Sequence, residues 1–129
     1  TCVAASKKKP KPAPAKTDAR LLQDNCRREC EDLFQKKYAV DNKLFPHIDK
    51  SFSYQHHYNL KMNKCFILII ETGSNHSHKR MKLIDIRQKD TVYGTFSMMG
   101  KDLRLCSFLN KKCQTEEEWL SFIKPYMEE

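Results

Sequence analysis

Apolar and polar residues recur along this chain with two different periods, and one stretch has no period at all. Lys64-Cys65-Phe66-Ile67-Leu68-Ile69-Ile70-Glu71 is the one long unbroken apolar run, rich in β-branched side chains and closed at both ends by polar residues. Its length fits a strand, since strands span about 4–8 residues and helices at least about 10. Successive side chains of a strand point to opposite faces of a sheet, so a strand that is apolar throughout needs cover on both faces. The run is therefore expected inside a sheet and not at its edge.

Period-two alternation marks the neighbours of this strand. Residues 80–88 (RMKLIDIRQ) read as a second strand, joined to the first through the turn-rich loop Thr72 to Lys79 as a long hairpin. Val92, Gly94, Phe96 and Met98 alternate with Tyr93, Thr95 and Ser97, giving a strand with one buried face. Gly100-Lys101-Asp102 turns the chain, Leu103 to Leu109 gives a shorter strand, and Asn110-Lys111-Lys112 turns it again. Phe52, Tyr54, His56 and Tyr58 alternate with Ser53, Gln55, His57 and Asn59; this fits a strand entering the central one, or a loop laying aromatics on the core. Asp41-Asn42 and Phe45-Pro46 mark a break before it.

A period near 3.6 appears at each end of this β-rich stretch. Thr17 or Asp18 can cap a helix running to about Tyr38. Its stripe is Leu22, Cys26, Cys30, Leu33, Phe34 and Lys37, with Arg27-Arg28-Glu29 and Glu31-Asp32 on the other sides. Near the C-terminus, Thr115-Glu116-Glu117-Glu118 is a capping box: the Thr115 hydroxyl accepts from the Glu118 N–H, and the Glu118 carboxylate reaches back to the Thr115 N–H. Three carboxylates in the first turn also suit the positive end of the helix dipole. That helix runs to about Lys124 or past Pro125, with a broad apolar side of Trp119, Leu120, Phe122, Ile123 and Tyr126. The pattern predicts one α+β domain over residues 17–129: an N-terminal helix, an antiparallel sheet of three to five strands, and a C-terminal helix packed on the sheet.

The 129-residue length fits one domain, and 40% hydrophobic residues leave a modest core that gains from covalent staples. Six cysteines in so short a chain point to an oxidising compartment, periplasmic or secreted, where disulfides persist. Cys26, Cys30, Cys65, Cys106 and Cys113 are the disulfide candidates within the domain. Cys26 and Cys30, one turn apart, do not bridge easily, because a disulfide needs Cβ atoms nearer than helix neighbours sit. Cys65 is thus a natural partner for either, and Cys106 and Cys113 can close a bridge across a turn. Spacing alone does not fix the pairing.

Charge changes the picture less than its total implies. The net charge is +8, yet residues 1–20 hold six basic side chains against one acidic, while the rest of the chain holds 18 against 15. The basicity belongs to a tail. Residues 1–16 read as a signal-peptide remnant, with the small-residue pattern Val3-x-Ala5, followed by a Lys/Pro/Ala-rich disordered linker. A lipoprotein would instead carry lipid on Cys2, although Thr1 is unfavourable just before such a cysteine. Lys7, Lys8, Lys9, Lys11 and Lys16 can meet an anionic surface by counterion release, without reading sequence. No motif for sequence-specific nucleic-acid binding occurs, and no segment approaches the roughly 20 apolar residues of a membrane-spanning helix.

Candidate chemistry gathers near the start of the central strand. A thiol enzyme or a metal-binding protein could use His56, His57 and Cys65, since a reactive thiolate needs a base within reach and imidazole with thiolate suits zinc or copper. Tyr54, His56, His57 and Tyr58 form the speculative site. His76-x-His78 offers two further ligands, too few for a tight metal site. Asn75-His76-Ser77 fits the N-glycosylation triplet, which matters only in a eukaryotic secretory pathway. With three glycines in the chain, no phosphate-cradling loop is present. No catalytic residue, bound metal or cofactor is assigned.

Two segments carry a resemblance. Tyr54 to Glu71, with His57-Tyr58-Asn59-Leu60-Lys61 and Asn63-Lys64-Cys65-Phe66, resembles a stretch of small bacterial secreted or periplasmic proteins of uncharacterised function, and residues 117–129 (EEWLSFIKPYMEE) fit the same pattern. The resemblance implies export and carries over no catalytic residue. The expected function is a non-enzymatic exported interaction module binding a protein or cell-envelope component. Polyanion binding through the basic tail and the His56, His57 and Cys65 chemistry stand as alternatives.

Overall fold

The computed structural model describes residues 16–39, 50–73, 77–88 and 91–129. Helix α1 (Lys16–Lys37) is followed by strands β1 (Lys50–Asn59), β2 (Lys64–Gly73), β3 (His78–Asp85), β4 (Thr91–Met99), β5 (Asp102–Phe108) and β6 (Lys111–Lys112), and helix α2 (Glu116–Glu128) closes the chain. The strands form one antiparallel sheet in sequence order, each pairing with the next. The apolar run is β2, seated between β1 and β3.

Both faces of β2 are covered, and by different helices. Cys65, Ile67 and Ile69 pack with Cys26, Cys30 and Phe34 of α1. Phe66 and Leu68 point the other way and pack with Met81, Leu83, Phe96, Phe108 and, from α2, Trp119 and Ile123. The period-two rule thus splits one hydrophobic run between two cores, and the domain has three layers, helix, sheet, helix. Burying a side chain such as Phe66 or Ile67 stabilises the fold by about 1.5–3 kcal/mol relative to leaving it exposed. Trp119, fully buried, places its one polar atom by donating from Nε1 to the Ser107 carbonyl at 2.9 Å.

Several expectations need correction in detail. Among the described residues the sheet has six strands, not three to five, because Lys111–Lys112, read as a turn, pairs back onto Ser107 and Phe108. Residues 50–59 resolve the strand-or-loop question as a full ten-residue strand. Lys16 belongs to α1 and not to the linker. The buried stripe of α1 stops at Phe34; Lys37 is exposed, and Tyr38 stacks on Phe34 at a 5.9 Å ring separation in its stead. Helix α2 continues past Pro125 to Glu128. Its cap has the expected first half, Glu118 N–H to Thr115 Oγ1 at 3.1 Å, but the Glu118 carboxylate accepts from the Gln114 N–H at 2.8 Å and not from Thr115.

Two glycines serve different needs. Gly100, between β4 and β5, has φ +58°, the left-handed region open to a residue without Cβ. Gly94 serves another need: a Cβ there would stand 2.5 Å from the Phe108 ring, so glycine lets β5 lay that ring against β4. Among the described residues, no helix is long and apolar enough to cross a membrane. Cys2, Lys7, Lys8, Lys9, Lys11, Asp41, Asn42, Phe45, Pro46, Asn75 and His76 lie outside the described residues.

Candidate functional site

The aromatic and histidine stretch falls on β1, and strand alternation divides it. Tyr54, His56 and Tyr58 stand opposite Ile69, Ile67 and Cys65, on the α1 face. His57 stands opposite Phe66, on the α2 face. His56 and His57 therefore cannot serve one site with Cys65, and the constellation read from the sequence is not assembled. His57 is half-buried, its Nε2 has no hydrogen-bond partner, and burial holds its pKa below the usual imidazole value. His78 Nε2 lies 2.8 Å from Glu71 Oε2.

Three sulfurs meet under α1. Cys26 and Cys30 lie one turn apart on the buried face of the helix, and Cys65 opens β2 beneath them. Cys26 and Cys65 form a disulfide, as do Cys106 and Cys113. Cys30 remains a free, buried thiol with its Sγ 3.6 Å from Cys65 Sγ. All three sulfurs lie within 4.8 Å of one another, and each residue is 0% exposed. Burial, reinforced by Glu29 and opposed by Arg87, pushes the Cys30 thiol up to about 12. A thiolate nucleophile or a metal ligand at Cys65, the sharpest chemical expectation, is ruled out in this state because its sulfur is already bonded to Cys26.

Polar tethers fix the end of the sheet where β1 turns into β2. Gln23 of α1 reaches Tyr58 with both ends of its amide: Oε1 accepts from the Tyr58 N–H at 3.0 Å, and Nε2 donates to the Tyr58 carbonyl at 2.8 Å. Asn59, 1% exposed, donates from Nδ2 to the carbonyls of Pro125 and Tyr126 at 3.0 and 3.2 Å and accepts from the Met62 N–H at 2.9 Å. Lys61 pairs with Glu129 across the same end. Buried Asp85 holds Lys64 Nζ at 2.9 Å, and that hydrogen bond raises the Lys64 pKa. The hairpin thereby pins the C-terminus of α2 and the first turns of α1.

Along α2 the sheet is less fully covered. A groove of about 610 Å³ runs between α2 and strands β1 to β3. Leu68, Ile70 and Met81 form its floor, Gln55 its β1 border, and Leu120, Ile123 and Met127 the helix wall. Glu116, Glu117, Lys124 and Glu128 rim that wall. Glu116 is neutralised by Lys79 at 2.6 Å, which leaves two carboxylates against one ammonium. Leu120 is 40% exposed. The breadth of the apolar side of α2 was the sequence signal for it, since one helix cannot turn Trp119, Leu120, Phe122, Ile123 and Tyr126 all onto a flat sheet. The floor residues gave no such signal, because they read as ordinary core.

No family model, no curated protein and no solved structure matches this chain.

Proposed function

We propose that this chain is a non-enzymatic interaction module of an oxidising, exported compartment, periplasmic or secreted, and that it binds an extended peptide segment of a protein partner in the groove between α2 and β1–β3. The observation that carries the reading is the groove itself: an apolar floor with a charged rim, of a size in the range of ligand-binding clefts. Two disulfides support the compartment, since such bonds persist where thiols are not kept reduced.

The border of the groove supports an extended peptide. Among the described residues, no strand pairs with the outer edge of β1. Gln23 takes the outward N–H and C=O of Tyr58, so by antiparallel alternation the backbone groups of His56, Tyr54 and Phe52 also point outward. A strand added there gains main-chain hydrogen bonds and directs alternate side chains to the α2 face beside Gln55, at the β1 border of the groove. The surplus of carboxylate on the wall, Glu117 and Glu128 against Lys124, selects a peptide with a basic residue beside its apolar ones.

Selection of a random-peptide phage library on the folded protein, repeated on Leu120→Arg, tests this. Enriched peptides combining apolar and basic residues, with affinity lost at least tenfold in Leu120→Arg, support the reading. Peptides indifferent to Leu120→Arg, or no enrichment, count against it.

A further inference from the structure

With Cys26 and Cys65 bonded to each other, the sulfur triad has one thiol left and is not a metal site. It is arranged for a different reaction. We propose that the Cys26–Cys65 disulfide exchanges partners with Cys30, so that β2 is stapled to α1 through either of two thiols one helical turn apart.

The geometry carries this. Cys30 Sγ is 3.6 Å from Cys65 Sγ, in contact with the sulfur that it attacks. Cys26 Sγ and Cys30 Sγ lie one helical turn apart over Cys65, and the three sulfurs, all within 4.8 Å of one another, form a bent array. The Cys30 side chain therefore turns about its χ1 and gives up its contact with the Phe66 carbonyl at 3.7 Å to come into line with the Cys26–Cys65 bond. In the exchange, the Cys30 thiolate attacks Cys65 Sγ. The Cys30–Cys65 bond forms, the Cys26–Cys65 bond breaks, and its electron pair leaves on Cys26 Sγ, which takes up the proton that Cys30 released. One disulfide and one thiol are present before and after, so neither oxidant nor reductant is consumed.

Burial limits the rate. The nucleophile is the thiolate, and the Cys30 thiol is pushed up to about 12 by its apolar surroundings. Glu29 on its own helix disfavours the thiolate, Arg87 after β3 favours it, and Tyr54 on β1 faces the same sulfur. Exchange is therefore slow at neutral pH and accelerates about tenfold per pH unit as the thiolate fraction rises.

The test uses the full oxidised chain carrying Cys2→Ser, held folded at pH 7 and at pH 9.5, quenched in acid, alkylated, and mapped without reduction. Arg27 and Arg28 lie between the two helix cysteines, so trypsin separates their peptides. Circular dichroism monitors folding throughout. The proposal predicts a Cys30–Cys65 bridge that accumulates at least a hundredfold faster at pH 9.5 than at pH 7. It also predicts that Cys26→Ser in the same background forms Cys30–Cys65 on oxidation by glutathione disulfide. A folded Cys26→Ser with both thiols free, or only Cys26–Cys65 at every time and pH, overturns it. If Cys26→Ser does not fold, the pH comparison on the chain that retains Cys26 decides alone.

Discussion

Gln23 and Tyr58, 35 residues apart, are joined as if Gln23 were a strand: the side-chain amide takes both backbone groups of Tyr58, the N–H at 3.0 Å and the carbonyl at 2.8 Å. This clamp ends the open edge of β1 and sets α1 along it. Gln23→Ala leaves two backbone groups of a buried residue without partners. The expected cost is about 1–3 kcal/mol, read from the urea midpoint, with hydrogen exchange at the Tyr58 amide rising to match that of the outward amides of His56 and Tyr54.

The two disulfides should differ in weight. In the chain-entropy account, the loop of 39 residues closed by Cys26–Cys65 stabilises by about 4 kcal/mol and the loop of 7 closed by Cys106–Cys113 by about 2 kcal/mol. Cys65→Ser removes the first staple outright. Cys26→Ser leaves Cys30 to replace it and is expected to cost much less. Chemical denaturation of the two variants under oxidising conditions gives the comparison, and equal losses would contradict it.

A third expectation concerns pH. Burial holds the His57 pKa below the usual imidazole value, with the Glu129 backbone and Glu128 opposing and His56 assisting. As pH falls, the unfolded chain takes up this proton first. The contribution of His57 is therefore fully present above the unfolded value of about 6.5 and declines below it, until the lower folded value is reached. Melting temperatures between pH 7.5 and 5.5 should fall less steeply in His57→Phe than in the unaltered protein; parallel slopes would exclude His57 as the source.

Asn59 ties the hairpin to the last turn of α2. Asn59→Leu keeps the bulk but strips the carbonyls of Pro125 and Tyr126 of their donor and the Met62 N–H of its acceptor. A loss of roughly 2–3 kcal/mol is expected, at the upper end of the range for unpaired buried polar groups. Hydrogen exchange should rise first across residues 126–129. Exchange that rises uniformly over the sheet would mean that Asn59 acts on the core and not on the helix end.

Much of the fold was legible because period and composition agree. The run from Lys64 to Glu71 could only be an inner strand with two covered faces, and Thr115 with its following glutamates could only open a helix. The sixth strand was not legible, since two lysines after a turn carry no apolar period and are placed by pairing to β5 alone. The site was read worse than the fold, and one physical fact explains it. Adjacent residues of a strand face opposite layers, so His56 and His57 looked like a pair in sequence and are separated by the sheet. The pairing of Cys65 with one of two helix thiols was legible from the helix period; which one, and that the other would stay within reach, depended on a register between α1 and β2 that no local pattern encodes. Gln23 was invisible for a related reason, since a glutamine on a polar helix flank gives no sign of a backbone partner 35 residues away.

The groove is the centre of the functional account, and a ¹⁵N–¹H correlation spectrum of the folded, oxidised protein titrated with a selected peptide tests it most directly. The account predicts saturable shifts confined to Gln55, Leu68, Ile70, Met81 and Leu120 and to the outward amides of Phe52, Tyr54 and His56, absent in Leu120→Arg. Shifts centred on α1, or on β4 and β5, with the groove residues unmoved, would contradict it.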